Sequence, residues 1–211
     1  MSRYSGPVCR LCRREGTKLF LKGTRCLTEK CAVERRPFPP GQHGQSAGRG
    51  RKMSEYAKQL REKQKVKRMY GLTETQFRTT YSKASLLPGI KGTNLLVALE
   101  TRLDNIVYRM GFAASRPAAR QLVRHGHIEV NGAKVDIPSF KVAPGQEVRV
   151  APADRQMLAV QVAQDQASRG APVPWLSIDG ERAAGRLLEL PTRDGIPVNA
   201  QEQLIVELYS K

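Results

Sequence analysis

The chain has 211 residues, with 36 Lys and Arg against 19 Asp and Glu, a formal net charge of +17. Hydrophobic residues make up 40%, enough for one or two modest cores, and no apolar run approaches a membrane span, so no membrane partner is expected. The charge is uneven: residues 1–70 hold 19 basic and 5 acidic side chains, residues 71–150 hold 11 and 6, and residues 151–211 hold 6 and 8. That bias implies a polyanion partner, nucleic acid foremost. Five Phe, six Tyr and one Trp are few for a protein that stacks on unpaired bases, so recognition of backbone and shape is expected.

Residues 1–36 form a cysteine module. Cys9, Cys12, Cys26 and Cys31, the only cysteines, are spaced C-x2-C, a loop, then C-x4-C. Thiolate pairs at this spacing grip one metal ion from adjacent backbone turns, and two such pairs complete a tetrahedral four-sulfur shell. Four unrelated buried thiols, or disulfides, are the alternatives. The N-terminus carries no apolar signal segment and no small-residue cleavage site, so a reducing compartment is expected. Val8, Leu11, Leu19, Phe20, Leu21, Leu27 and Val33 cannot bury a core unaided. A metal is the expected organiser, with binding worth about 10–16 kcal/mol in comparable peptides.

Residues 37–52 (PFPPGQHGQSAGRGRK) read as an extended basic strap carrying Arg49, Arg51 and Lys52, poorly ordered until a polyanion fixes it. A helical domain over 53–98 follows, completed by the tail 197–211. Ser54 is placed to cap a helix toward Tyr70, with basic side chains including Lys58, Arg61, Lys65 and Arg68. Thr73 and Gln76 make a capping box for the next helix, which Pro88-Gly89 ends. Thr93 then opens a core helix with Leu95, Leu96, Leu99, Leu103, Ile106, Val107 and Met110 at helical spacing, closed by Gly111.

Residues 99–196 read as an inserted module with a sheet extension. Ser115 caps a short helix with Pro117 in its first turn, and Arg116, Arg120 and Arg124 fall in one stripe at i, i+4 and i+8. No acidic residue lies among 112–124, so the stripe is available for phosphates, with Arg102 and Arg109 as further contacts. Asn131-Gly132 between His127–Val130 and Ala133–Val135 predicts a type I′ hairpin. A further strand spans Glu147–Val150, an Ala/Gln-rich helix falls within 151–171, and strands are expected at 173–178 and 186–190. Residues 199–208 suit either a helix or a strand. The fold class is α+β with a small antiparallel sheet.

The stretches GPVCRLCRREG, CAVERRPFPPGQHG, LETRLDNIVYRMGFAASRPAARQLVRHGHIEVNG and PVNAQEQLIVELYS resemble the S-four family of bacterial small-subunit ribosomal proteins, in order and along the whole chain. The resemblance implies a helical domain holding an inserted RNA-binding module. It implies a primary binder of 16S rRNA that nucleates 5′-domain assembly and adjoins the mRNA entry path and neighbouring small-subunit proteins, where decoding accuracy is tuned. The expected location is the cytoplasm, in the small ribosomal subunit, with no small-molecule substrate. Some family members repress translation of their own mRNA, which is the alternative reading. Four-cysteine members hold a metal, so Cys9, Cys12, Cys26 and Cys31 are expected to bind one Zn²⁺. An iron–sulfur cluster is the other occupant such ligands accept.

Enzymes that share the RNA-binding module are the remaining class. Lys52-Met53-Ser54 matches part of a tRNA-synthetase signature, but the second lysine is absent and no upstream partner motif exists. Asp104 and Asp136 lie inside the module and read as structural. The chain is therefore not expected to be an enzyme. His43, His125 and His127 stand off the cysteine spacing. His125 and His127 border the helix end and the hairpin, where capping or a phosphate contact is expected rather than catalysis, and His125 is the candidate for RNA contact.

Overall fold

A computed structural model describes residues 4–46, 53–167 and 173–210 of the chain. The fold is α+β, with two compact units: Met1–Lys83 with Asn199–Lys211, and Ala84–Val198. The second unit thus begins at 84, whereas the sequence reading opens the inserted module at 99.

In the first unit the cysteine module contributes α1 (Cys9–Glu15), a 3-10 turn at Gly23–Leu27 and the one-turn α2 (Ala32–Arg35). Its apolar cluster is small: Cys12, Leu19 and Leu21, flanked by Val8, Leu11, Val33 and Met69. The long helix α3 (Glu55–Met69) starts where Ser54 accepts the Ala57 N–H at 3.3 Å. The next helix, α4 (Glu74–Ser85), opens with a reciprocal capping box. Gln76 N–H donates to Thr73 Oγ1 at 3.3 Å, and Thr73 N–H to Gln76 Oε1 at 3.4 Å.

The tail is a helix, numbered last in chain order as α9 (Glu202–Tyr209), and it packs on α3. Ile205 is fully buried, and Tyr209 stacks on Tyr81 with ring centroids 4.4 Å apart. Its hydroxyl meets Glu74 at 3.5 Å. Burial alone would raise the Glu74 carboxyl, but hydrogen bonds from Lys63 (2.6 Å) and Lys67 (2.7 Å) hold it below its ordinary range. These contacts decide for helix in a segment whose local pattern, Leu204-Ile-Val206, also suits a strand.

The second unit contains the expected core helix, but broken in two. The first part is α5 (Lys91–Glu100) and the second α6 (Leu103–Arg109), with Arg102 extended at φ −68°, ψ 139°. The interruption comes from distant backbone. Leu103 N–H donates to Phe140 O, Asp104 N–H to Pro138 O, and Val142 N–H to Thr101 O, at 2.8, 3.2 and 2.9 Å. The helix gives up local hydrogen bonds and stitches itself to the 138–142 segment instead. After Gly111 comes α7 (Arg116–Arg124), capped by Ser115 and packed on α6 through Ala119, Leu122 and Val123.

Five antiparallel strands follow. β1 (Ile128–Val130) and β2 (Ala133–Lys134) form the hairpin, with Asn131 and Gly132 at φ 48° and 81°, both positive as a type I′ turn requires. β3 is Glu147–Val150, β4 Leu176–Asp179 and β5 Ala184–Leu187, in the order β2-β1-β3-β5-β4. The expected strands at 173–178 and 186–190 are thus shifted, because β5 aligns with β3 through Glu147↔Arg186 and Val148↔Gly185. The Ala/Gln-rich segment is α8 (Leu158–Ala167). One face of the sheet and α6, α7 and α8 enclose a core of Leu103, Ile106, Phe112, Val123, Ile128, Val148, Val160 and Trp175. No helix among the described residues is long and apolar enough to cross a membrane.

Burial, then the adjacent Glu74 carboxylate, pushes the Tyr209 hydroxyl up to about 12. The unfolded value is about 10, so the folded state keeps the proton longer. The stability this contributes is complete below about pH 10 and is lost as pH rises toward about 12. Urea unfolding of wild type and Tyr209→Phe at several alkaline pH values should show the gap between them shrinking across that window. A constant gap would contradict this packing.

Candidate nucleic-acid interface and cysteine centre

Two buried carboxylates organise the arginines of the second unit. Asp104, in the first turn of α6, takes a bidentate pair from Arg102: Nε to Oδ1 at 3.0 Å and Nη2 to Oδ2 at 2.8 Å. Arg120 Nη1 joins the same carboxylate at 3.1 Å. Glu100, fully buried at the end of α5, takes Arg109 Nε and Nη2 at 2.9 and 2.6 Å and the Asn105 amide at 2.6 Å. Burial pushes the Asp104 carboxyl up, opposed chiefly by the charge and hydrogen bonds of Arg102. Arg116 lies over the Tyr108 ring, 4.6 Å from its centroid, and donates to Asn105 Oδ1 at 2.8 Å.

The arginine stripe is therefore graded. Arg116 and Arg120 are half-buried and braced by α6, Arg102 and Arg109 are committed to carboxylates, and Arg124 is exposed with no ion-pair partner among the described residues. The absence of acidic residues within 112–124 does not leave the stripe unpaired, because Asp104 reaches Arg120 from the neighbouring helix. His125 is exposed beside Arg124, its ring 6.0 Å from that of His127, and His127 Nδ1 lies 2.8 Å from Asp154. These side chains gather along α7 and its C-terminal end.

The basic residues of α3 are also partnered. Lys58 pairs with Glu55 at 2.7 Å and Lys65 with Glu62 at 2.9 Å, while Arg61 (3.4 Å) and Arg68 both reach Glu15. Burial raises the Glu15 carboxyl and the two arginines oppose that, so this one residue ties α1 to α3. Arg49, Arg51 and Lys52 lie outside the described residues. The start of the strap has a partner that its Pro and Gly content does not announce. Arg13 Nε donates to the carbonyls of Arg36 and Phe38 at 3.2 and 3.0 Å, and its guanidinium covers the Phe38 ring at 4.8 Å.

The four cysteines are free thiols that line one cavity of about 20 Å³, room for a single ion or water-sized particle. Burial, and then the neighbouring Cys26, Cys9 and Cys31, push the Cys12 thiol up against a hydrogen bond from the Leu19 backbone. Lys22 N–H donates to Cys26 Sγ at 3.4 Å. Among the described residues, no group of three or more Cys, His, Asp or Glu is placed to hold a metal as it stands, so the expected tetrahedral shell is not on display. The donor set and the cavity size nonetheless suit a thiophilic cation. The same cavity is lined by Lys22, Arg25 and Lys30, which the cysteine spacing does not point to. Their signal was the charge excess of the first third of the chain, not any spacing.

Comparison with known proteins matches residues 3–100 to the ribosomal protein S4/S9 N-terminal domain and residues 101–148 to the S4 domain. The small ribosomal subunit protein uS4 of Acidobacterium capsulatum is 56% identical, and that of Thermus thermophilus is 55% identical, each with 100% of both chains covered. The protein named uS4A from Myxococcus xanthus is 55% identical over the same full coverage.

Removing one partner of a buried, hydrogen-bonded charge pair costs about 3–5 kcal/mol, whereas an exposed unpaired side chain costs within about 0.5 kcal/mol. Asp104→Asn should therefore lower the urea midpoint strongly at an unchanged m-value, and Arg124→Ala should leave it in place. Equal midpoints for the two variants would show that the Asp104 network is dispensable.

Proposed function

This chain belongs to the family of small ribosomal subunit protein uS4, and from that premise we propose that it is a structural component of the small subunit that binds 16S rRNA. Its family is one of ribosomal proteins rather than enzymes. The observation that carries the reading is the grading of charge on α7. Arg116 and Arg120 are braced from behind by Asn105 and Asp104, while Arg124 and His125 are exposed with no carboxylate partner among the described residues. A braced cation meets a phosphate with little side-chain entropy left to lose, and a phosphate contact positions RNA without reading its sequence.

Within this reading the chain assembles early on the 5′ domain of 16S rRNA, adjoins the mRNA path and neighbouring ribosomal proteins, and acts in the cytoplasm as part of the subunit. The cysteine module takes one Zn²⁺ on Cys9, Cys12, Cys26 and Cys31. The ion supplies a cross-link between the two halves of a segment whose buried apolar cluster among the described residues is Cys12, Leu19 and Leu21. Zinc fits better than an iron–sulfur cluster because nothing in the reading needs redox chemistry.

Binding to a transcript of the 16S 5′ domain, measured across salt concentrations, tests the RNA reading. Arg124→Ala should weaken binding and reduce the slope of log K against log salt by about 0.7–0.9, the increment for one phosphate no longer neutralised. An unchanged slope would mean that α7 faces away from the RNA backbone.

A further inference from the structure

The cysteine cavity has a cationic rim. Lys22, Arg25 and Lys30 line it together with the four thiols, all three are exposed, and none has an ion-pair partner among the described residues. The contrast with nearby charges is informative. Lys18 is tied to Glu34, Arg13 is spent on backbone carbonyls, and Glu15 is held by Arg61 and Arg68. The one other acidic residue of the module, Glu29, is exposed and one position before Lys30. Arg10, Arg14, Arg35 and Arg36 are also exposed without an ion-pair partner among the described residues, and Lys22, Arg25 and Lys30 differ from them in lining the cavity that the four thiols share.

The chain links these cations to the thiols directly. Arg25 precedes Cys26 and Lys30 precedes Cys31, while the Lys22 N–H bonds to Cys26 Sγ. Whatever fixes the second cysteine pair therefore fixes the backbone from which all three cations project. Four thiolates around a divalent ion carry a net charge of about −2. That charge offsets the mutual repulsion of the rim and still leaves it net positive.

We infer that Lys22, Arg25 and Lys30 form a phosphate-binding rim on the cysteine cavity, so that RNA backbone held there and metal held by the thiols reinforce each other. The inference rests on the metal and RNA readings proposed above. Metal bound by the thiols holds the backbone that carries the cations, and phosphate bound by the cations relieves their mutual repulsion and so favours the same arrangement of that backbone. Thermodynamic linkage makes the effect reciprocal: RNA must tighten metal binding by the factor by which metal tightens RNA binding.

The test uses the full zinc-loaded chain, EDTA as the competing chelator, and the 16S 5′-domain transcript. Bound transcript should protect the zinc, raising its apparent affinity in competition with EDTA about tenfold, within the usual range of coupling between two sites. The triple variant Lys22→Ala, Arg25→Ala, Lys30→Ala should lose that protection and reduce the salt slope of RNA binding by about 0.7–0.9 for each phosphate no longer neutralised. If the triple variant does not fold, Arg25→Gln alone, at an exposed position, should move both readouts in the same direction by the increment of a single phosphate. A wild-type chain that takes up zinc and binds the transcript, yet holds zinc equally well against EDTA with and without it, overturns this inference alone. Full protection and full slope in the folded variant does the same. A wild-type chain that takes up no zinc overturns the metal reading and this inference together.

Discussion

A carboxylate removed from water must be paired, and in this protein Glu100 and Asp104 are removed from water. Pairing is what shapes the second unit's cationic side. Glu100 recruits Arg109 and Asn105, Asp104 recruits Arg102 and Arg120, and Asn105 passes the organisation on to Arg116. The five side chains come from α6, α7 and the joint before α6, so the same network that satisfies two buried charges also sets how those elements meet. A cationic face is thereby assembled from the inside. Its outermost member, Arg124, is exposed and has no ion-pair partner among the described residues.

The N-terminal module solves a related problem with less material. Its apolar cluster is too small to hold α1, the 3-10 turn and α2 together by burial alone. Directional contacts substitute: Arg13 clamps residues 36–39, Glu15 fastens α1 to α3, and Lys18 joins Glu34. The four thiols converge on one small cavity within the same module. In both units, charge pairing decides which cations are structural and which stay available at the surface.

What the sequence made legible was local. Ser54, Ser115 and the Thr73–Gln76 box were readable because a cap and its target lie within three residues of each other. Asn131-Gly132 was readable because few residue pairs tolerate two positive φ values in succession. The break between α5 and α6 was not, since the spacing of Leu99, Leu103, Ile106 and Met110 stays helical across it. Its cause is the 138–142 segment, nearly forty positions on. The pairing of Arg120 was hidden for the same reason: its partner Asp104 sits on another helix, outside any window drawn around the stripe. Cysteine spacing pointed to a shared centre, and the thiols do share a cavity. The rim of Lys22, Arg25 and Lys30 became visible only once the 3-10 turn folded them around it.

If buried carboxylates order these arginines before any RNA arrives, the order must exist in the free protein. Arginine Nε–Hε protons report it directly, because a proton held in a buried ion pair exchanges with water far more slowly than a solvated one. Nitrogen-15 spectra of the free chain near neutral pH should give sharp, slowly exchanging Nε–Hε signals for Arg102 and Arg109, whose Nε atoms donate to Asp104 and Glu100. Arg124, exposed and unpaired, should give none that persists. Signals from Arg102 and Arg109 that exchange as fast as that of Arg124 would contradict the account, because the arginines would then acquire their places only on the RNA.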